Sequence, residues 1–511
     1  MNGYPSGGTT VARPRSGVYP ATSFHLRAQP ASTVPTVLIV AVLSAAAGIV
    51  AWNTSFSSTV CINLLFAIQL ALLVVHVITT HGLYRRYFDF QMILYFVLFL
   101  FNGGGITIKQ FLSAYTSAPL IAFAPFNASV FLPFLEQDVI EAQVFICWVL
   151  GSLTVGLCLA SHSSAATRPS QKETQNESQS MYRAGMFLSV LSAPFAVIAL
   201  LGTFRAVRHG GYQALYSSGL TAESSYTQLA SGLIPGVLYL LAARGKGRSS
   251  QILIFGGLFV HCAPIAMSGE RVFAFHGVAA MVFLYHFRVR RIPPMMLVSV
   301  LAFAMILSTA LFSARNAIKG KAVTADVLMQ KLTDVYANME YFLDETGRSM
   351  CTVFYTQMTV PSHRDFEWGY TAVRSCLATV PGILPPEESE FEGAWLTRVI
   401  APLVFANHGG IGFSLIAEGF LNFGWYAPLF CVPLWYFVAR ASSEIHRDRG
   451  SPKIAYAAVC ISFVLMGARG STLTFMRKLL TLVVVPMFAI AIGDRNSPTK
   501  RNVLRRPQKR W

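Results

Sequence analysis

The chain has 511 residues, of which 54% are hydrophobic and only 12% charged, and its formal net charge is +17. Soluble domains carry about a quarter charged residues. Here apolar runs of membrane-spanning length recur from end to end, which excludes a soluble enzyme on a single anchor. The basic residues flank those runs without aromatic interleaving, so they set membrane orientation and do not make a nucleic-acid surface.

Residues 1–33 are rich in Gly, Pro and Ser, carry Arg13, Arg15 and Arg27, and contain no acid. This is the composition of a disordered cytoplasmic tail, and its polar length argues for an uncleaved first span. About twelve spans follow, near 34–52, 60–80, 88–104, 139–160, 185–203, 226–243, 251–267, 271–287, 295–313, 411–440, 454–468 and 477–493. With the N-terminus inside, the short basic clusters at Arg85–Arg86, Arg168–Arg183, Arg244–Arg248, Arg288–Arg291 and Arg447–Lys453 all fall on one side. The basic tail at 494–511 joins them, which predicts an all-α polytopic membrane protein with both termini cytoplasmic. The tails are expected to lie against anionic lipid heads. The expected organisation is a tail at 1–33, nine spans in 34–313, one long outer loop at 314–400, three spans in 401–493 and a second tail.

The long loop holds eleven acids, Asp326 to Glu392, together with Pro361, Pro381, Pro385 and Pro386. Residues 325–360 have helical composition, and 380–393 read as irregular. A loop of this length is more often functional than filler. Most of the eight cysteines fall in or beside apolar runs and read as small core residues. Cys351 and Cys376 share the loop, where a disulfide is open but unsupported by spacing.

Residues 409–424 read GGIGFSLIAEGFLNFG. Ser414, Glu418 and Asn422 recur every four residues, so a helix here carries one polar stripe on an apolar cylinder. A carboxylate in such a setting faces a cavity, a partner or a substrate. The plainer reading pairs Glu418 with an arginine of a neighbouring helix for packing alone. Several arginines sit on the outer side, against the positive-inside bias: Arg271 in SGER (268–271), Arg348, Arg364, Arg374 and Arg398 in the loop, and Arg469 in GARGS (467–471). Their forked guanidinium matches phosphate oxygens, and the competing reading is an ion pair with the acids of the loop. His408 stands alone before the stripe. No spaced His/Cys/carboxylate set, no acidic pair for a nucleotide sugar and no P-loop is present, so no cofactor or metal is expected.

GFSLIAEGFLNFG at 412–424 resembles the Gly-x-Ser-x-x-x-Glu-x-x-x-Asn-Phe-Gly segment of bacterial O-antigen polysaccharide polymerases of the Wzy type. ETGRSMCTVF (345–354), the Val-Pro at 360–361 and WGYTAVRSCLATVPG (368–382) follow in the family's order, and SGER resembles its small-residue turn with an arginine. Trp425 and Tyr426 depart from it, because a small residue is more usual there.

The resemblance implies a glycosyltransferase of the bacterial inner membrane that polymerises oligosaccharide repeat units carried on undecaprenyl pyrophosphate. The reaction is expected at the periplasmic face, with no metal, and a chain-length regulator is a possible partner. A hydroxyl of one unit attacks the anomeric carbon of the growing chain and the lipid pyrophosphate leaves. Such chemistry needs cations at the pyrophosphate and a base at the hydroxyl. The expected site is Glu418 as base or for acceptor orientation, with His408 as the runner-up base. Arg271, Arg374 and Arg398, with Arg348 and Arg469, serve the pyrophosphate, and Ser414 and Asn422 line the substrate site. Trp368, Tyr370 and Trp395 are either sugar platforms or interfacial anchors. Rival readings are an O-antigen ligase and a lipid-linked oligosaccharide flippase or other transporter.

Overall fold

The computed structural model describes residues 33–84 (except 54), 88–104, 135–163, 175–210, 232–244, 256, 271–288, 291–317, 325–333, 342–343, 346–347, 349–378, 383–384, 392–406, 410–447, 452–468, 470–484 and 486–487. Among them the chain is helical, without strands. This is the expected answer to an apolar medium, where every backbone polar group must be paired within its own segment. The predicted span at 251–267 lies almost wholly outside the described residues.

The helices in the first half are α1 (Thr33–Trp52), α2 (Ser58–Tyr84), α3 (Phe90–Phe99), α4 (Glu136–Ser163), α5 (Gln175–Gly210), α6 (Leu233–Arg244), α7 (Arg271–Arg288) and α8 (Pro294–Ala317). The second half contributes α9 (Ala325–Leu332), α10 (Met350–Thr359), α11 (Tyr370–Leu377), α12 (Glu392–Ile400), α13 (Pro402–Ala406), α14 (Leu415–Phe423), α15 (Ala427–Arg447), α16 (Pro452–Ala468) and α17 (Thr472–Leu479). Among the described residues, five stretches are long and apolar enough to cross a membrane: Thr33–Trp52, Ser58–Gly82, Glu136–Ser161, Gln179–Ala206 and Leu415–Ile445. The last of these is broken. The single helix expected over 411–440 becomes α14, a 3₁₀ turn at Gly424–Tyr426, and α15. The break follows from Gly424, whose φ of 55° lies in the left-handed region that side chains avoid.

Two apolar clusters organise the packing. In the first, α4 contacts α1, α2, α10 and α15, and its Phe145, Ile146 and Leu150 are wholly buried. The second joins α5, α6, α7 and α16 around Tyr239, Phe283 and Ile454. Ile93 of α3 packs against both. Helix α10 falls in the segment expected as an outer loop, yet Met350, Val353 and Phe354 are buried in the first cluster. The helical composition at 325–360 is thus realised in α9 and α10. Cys351 is buried and Cys376 exposed, and the two are not joined in a disulfide.

Apolar surface alone does not drive helices together in lipid, so close backbone approach at small residues carries much of the association. A Cβ added at Gly156 of α4 would lie 2.5 Å from the Val432 carbonyl oxygen and 2.9 Å from Trp435 Cβ of α15. Gly82 of α2 has open space around the same position. Gly156→Ala is therefore expected to destabilise the protein by about 1–3 kcal/mol, whereas Gly82→Ala is neutral or slightly stabilising. Thermal melts of the two variants in detergent separate these outcomes.

Candidate functional site

The stripe on α14 is built as expected in spacing, but its three residues face three different elements. Ser414 has extended backbone (φ −141°, ψ 151°) and caps the helix, its hydroxyl accepting from Ala417 N–H at 3.1 Å. An orphan amino-terminal N–H is satisfied in this way. The same hydroxyl accepts from Thr352 of α10 at 3.2 Å.

Asn422 closes the other end. Its Nδ2 donates to the Thr371 hydroxyl and to the Glu418 carbonyl, each at 2.8 Å. Its Oδ1 accepts from Gly369 N–H at 2.9 Å. The backbone completes the clamp, since Glu367 N–H donates to Leu421 O and Trp368 N–H to Asn422 O. The clamp needs Trp368 and Gly369 at positive φ, 49° and 89°. It also needs Gly424, where an added Cβ would lie 3.0 Å from the Phe366 ring. WGYT and NFG are thus two halves of one lock between α11 and α14. The polar atoms of Ser414 and Asn422, expected to line a substrate site, are engaged within the protein.

Glu418 sits between them, 2% exposed. Its Oε2 accepts from Thr472 N–H at 2.6 Å. This places a carboxylate at the amino terminus of α17, where the helix dipole favours negative charge. Its Oε1 is buried with no hydrogen-bond partner among the described residues. The charge of Glu392 acts on it, and the Thr371 and Thr472 hydroxyls lie beside the carboxylate. Glu392 is itself 1% exposed, accepts from the Arg374 guanidinium through Oε1, and leaves Oε2 without a hydrogen-bond partner among the described residues. Two buried carboxylates, each with one unpaired oxygen, and one arginine therefore meet where α11, α12, α14 and α17 converge. Buried unpaired oxygens of this kind are costly unless a donor reaches them, so the arrangement is suited to receiving hydroxyl protons.

The other expected residues divide. Arg398 of α12 is exposed, with its guanidinium 5.8 Å from the Phe405 ring. Arg271 opens α7, but its side chain lies outside the described residues, as do Arg348, His408 and Arg469. Arg469 stands three positions before Thr472, on the segment leading to the N–H that Glu418 holds. Trp368 and Tyr370 are exposed. Trp395 is half-buried beneath Arg364, whose guanidinium lies 4.7 Å from its ring and bonds Glu367 at 2.8 and 2.5 Å. Glu392 and Thr371 were not singled out by sequence. The available signal was helical spacing, which puts Glu392, Leu396 and Ile400 on one buried face of α12. Among the described residues no group of three His, Cys, Asp or Glu is placed to hold a metal ion.

Breaking a buried ion pair from one side strands the other charge, at a cost of about 3–5 kcal/mol. Arg374→Gln is expected to lose about that much, and Arg374→Gln with Glu392→Gln to recover most of it. Melting midpoints for the two single variants and the double variant complete the cycle.

The profile of the family described as O-antigen polysaccharide polymerase Wzy matches residues 34–502, nearly the whole chain and all of the site just described. No curated protein and no solved structure matches it. The apolar helices and the family agree on an integral membrane protein of polysaccharide biosynthesis. The chain belongs to the O-antigen polysaccharide polymerase Wzy family.

Proposed function

We propose that the protein is a metal-independent glycosyltransferase of the inner membrane, with about twelve spans and both termini cytoplasmic. In this reading residues 314–400 are periplasmic, and the substrate is an oligosaccharide repeat unit on undecaprenyl pyrophosphate. The observation that carries it is the Glu418 carboxylate, one oxygen fixed by Thr472 N–H and the other buried and unpaired among the described residues. A carboxylate held in this way can accept the proton of an incoming sugar hydroxyl. As that oxygen forms its bond to the anomeric carbon of the growing chain, the bond from that carbon to the pyrophosphate oxygen breaks. The proton passes to Glu418 and the electron pair leaves with the lipid pyrophosphate.

Developing charge on the leaving group needs preorganised cations. Arg398, exposed on the helix that carries Glu392, suits this role. Arg271, Arg348 and Arg469 are assigned to it by sequence position. Arg374 acts through Glu392, holding that carboxylate beside Glu418 and keeping its own charge within the site. His408 is the alternative base. Ser414 and Asn422 shape the site by fixing both ends of α14.

The test uses purified protein in lipid nanodiscs with lipid-pyrophosphate-linked repeat units and no nucleotide sugar. A ladder spaced by one repeat unit is expected from the parent protein. Glu418→Gln keeps the shape and removes the base, and is expected to slow the ladder by about 10²–10⁴-fold. An unaltered Glu418→Gln ladder would refute the role of Glu418. Transfer only after addition of lipid A-core would replace polymerase with ligase. No transfer to either acceptor would favour a transporter.

A further inference from the structure

Helix α11 is amphipathic in the inverse sense to a helix on a soluble protein. Its inward positions are small and polar, with Thr371 and Ser375 each 1% exposed. Its outward positions are apolar, with Tyr370 44%, Val373 53% and Leu377 37% exposed. Cys376 is exposed beside them, and Trp368, 68% exposed, precedes the helix. No charged side chain stands on this face, because Arg374 turns inward to Glu392 with 11% of its side chain exposed. Contiguous exposed apolar surface marks an interaction site.

Its neighbour says what that surface meets. Phe423 stacks on Phe430 of α15 at 3.9 Å between ring centroids. Phe423 also lies against Gly369, where an added Cβ would be 3.4 Å from its ring. The face of α11 is therefore continuous with the exposed row Leu429, Phe430, Leu434 and Phe437 on α15. That row belongs to a stretch long and apolar enough to cross the membrane, so its exposed side faces lipid. Tryptophan and tyrosine beside such a row occupy the level of the headgroups.

We propose that α11 lies in the membrane interface, with Trp368, Tyr370, Val373 and Leu377 in contact with lipid at the boundary between headgroups and acyl chains. Its inward face carries Thr371 and Arg374 to Asn422, Glu392 and Glu418, which puts the buried carboxylates one helix diameter, about 10 Å, from lipid. Given the polymerase reading above, a lipid-anchored substrate reaches them sideways without leaving the bilayer. The lipid contact itself does not depend on that reading.

The experiment measures collision rates of a nitroxide on the full chain in nanodiscs of phosphatidylethanolamine and phosphatidylglycerol. Native Cys376 is labelled first, with no change to the fold. Val373→Cys and Leu377→Cys follow in a Cys376→Ser background, which supplies the blank. Dissolved oxygen, which concentrates in lipid, is expected to relax labels at 373, 376 and 377 several-fold more than a water-soluble nickel chelate. At Ser362→Cys, an exposed position before the clamp, the order should reverse. Chelate dominance at 373 and 377 would overturn the proposal by placing α11 in water. Exclusion of both reagents would overturn it in favour of a covering protein. Neither result touches the ladder assay, so the two readings fail separately.

Discussion

A carboxylate taken out of water is among the most expensive groups a protein can bury, and this chain buries two together, Glu418 and Glu392. The surrounding architecture follows from making that tolerable. Helix α17 presents its first N–H group to one oxygen of Glu418. Helix α12 brings a second carboxylate already neutralised by Arg374 of α11. Asn422 and Ser414 fix the helix that carries Glu418 at both ends. Segments far apart in sequence are drawn together by polar groups that cannot be left unpaired. The apolar contacts of α4 with α10 and α15 then hold the assembly in a fixed frame. Most of that frame would tolerate hydrophobic exchange of similar volume, whereas the polar lock would not.

How much of this was legible varies with the range of the forces involved. Apolar runs translate directly into helices because the bilayer leaves the backbone no other choice, and so α1, α2 and α4 fall close to where composition puts them. The four-residue spacing of Ser414, Glu418 and Asn422 was equally plain. Their partners were not, since Thr352, Thr371 and Thr472 are ordinary residues made special only by tertiary contact. The interruption at Gly424 was also hidden. Pro428 marks the start of α15, but the conformation of the break itself depends on Phe366 packing against the glycine. Arg374 was visible as a cation in need of an anion, and the anion is Glu392, among the loop acids that sequence offered as the competing reading.

Two different uses of aromatic residues also separate in three dimensions. Trp395 is tucked beneath Arg364 and stabilises the joint between α12 and the segment before α11. Trp368 and Tyr370 point outward. Sequence proximity grouped all three, but only burial distinguishes a residue that braces the site from one that meets the surroundings. The same distinction applies to arginine. A guanidinium 11% exposed and paired with a buried carboxylate is part of the frame, whereas Arg398 stands exposed on α12 with its guanidinium near the Phe405 ring.

The lock between Gly369 and Asn422 joins residues 53 positions apart. During synthesis the amino-terminal half of this lock leaves the ribosome before α14 does. Until then the N–H groups of Glu367, Trp368 and Gly369 have none of the acceptors that hold them in the finished protein. The segment at 366–371 consequently cannot take its final form when it is first delivered to the membrane. Insertion of α14 is the event that completes it, and in a nascent chain stopped short of Asn422 only local turn bonds, such as that from Tyr370 N–H to Glu367 O, are left to hold Trp368 and Gly369 at positive φ. Assembly of the site is thereby tied to the arrival of α14, the helix that also carries Glu418.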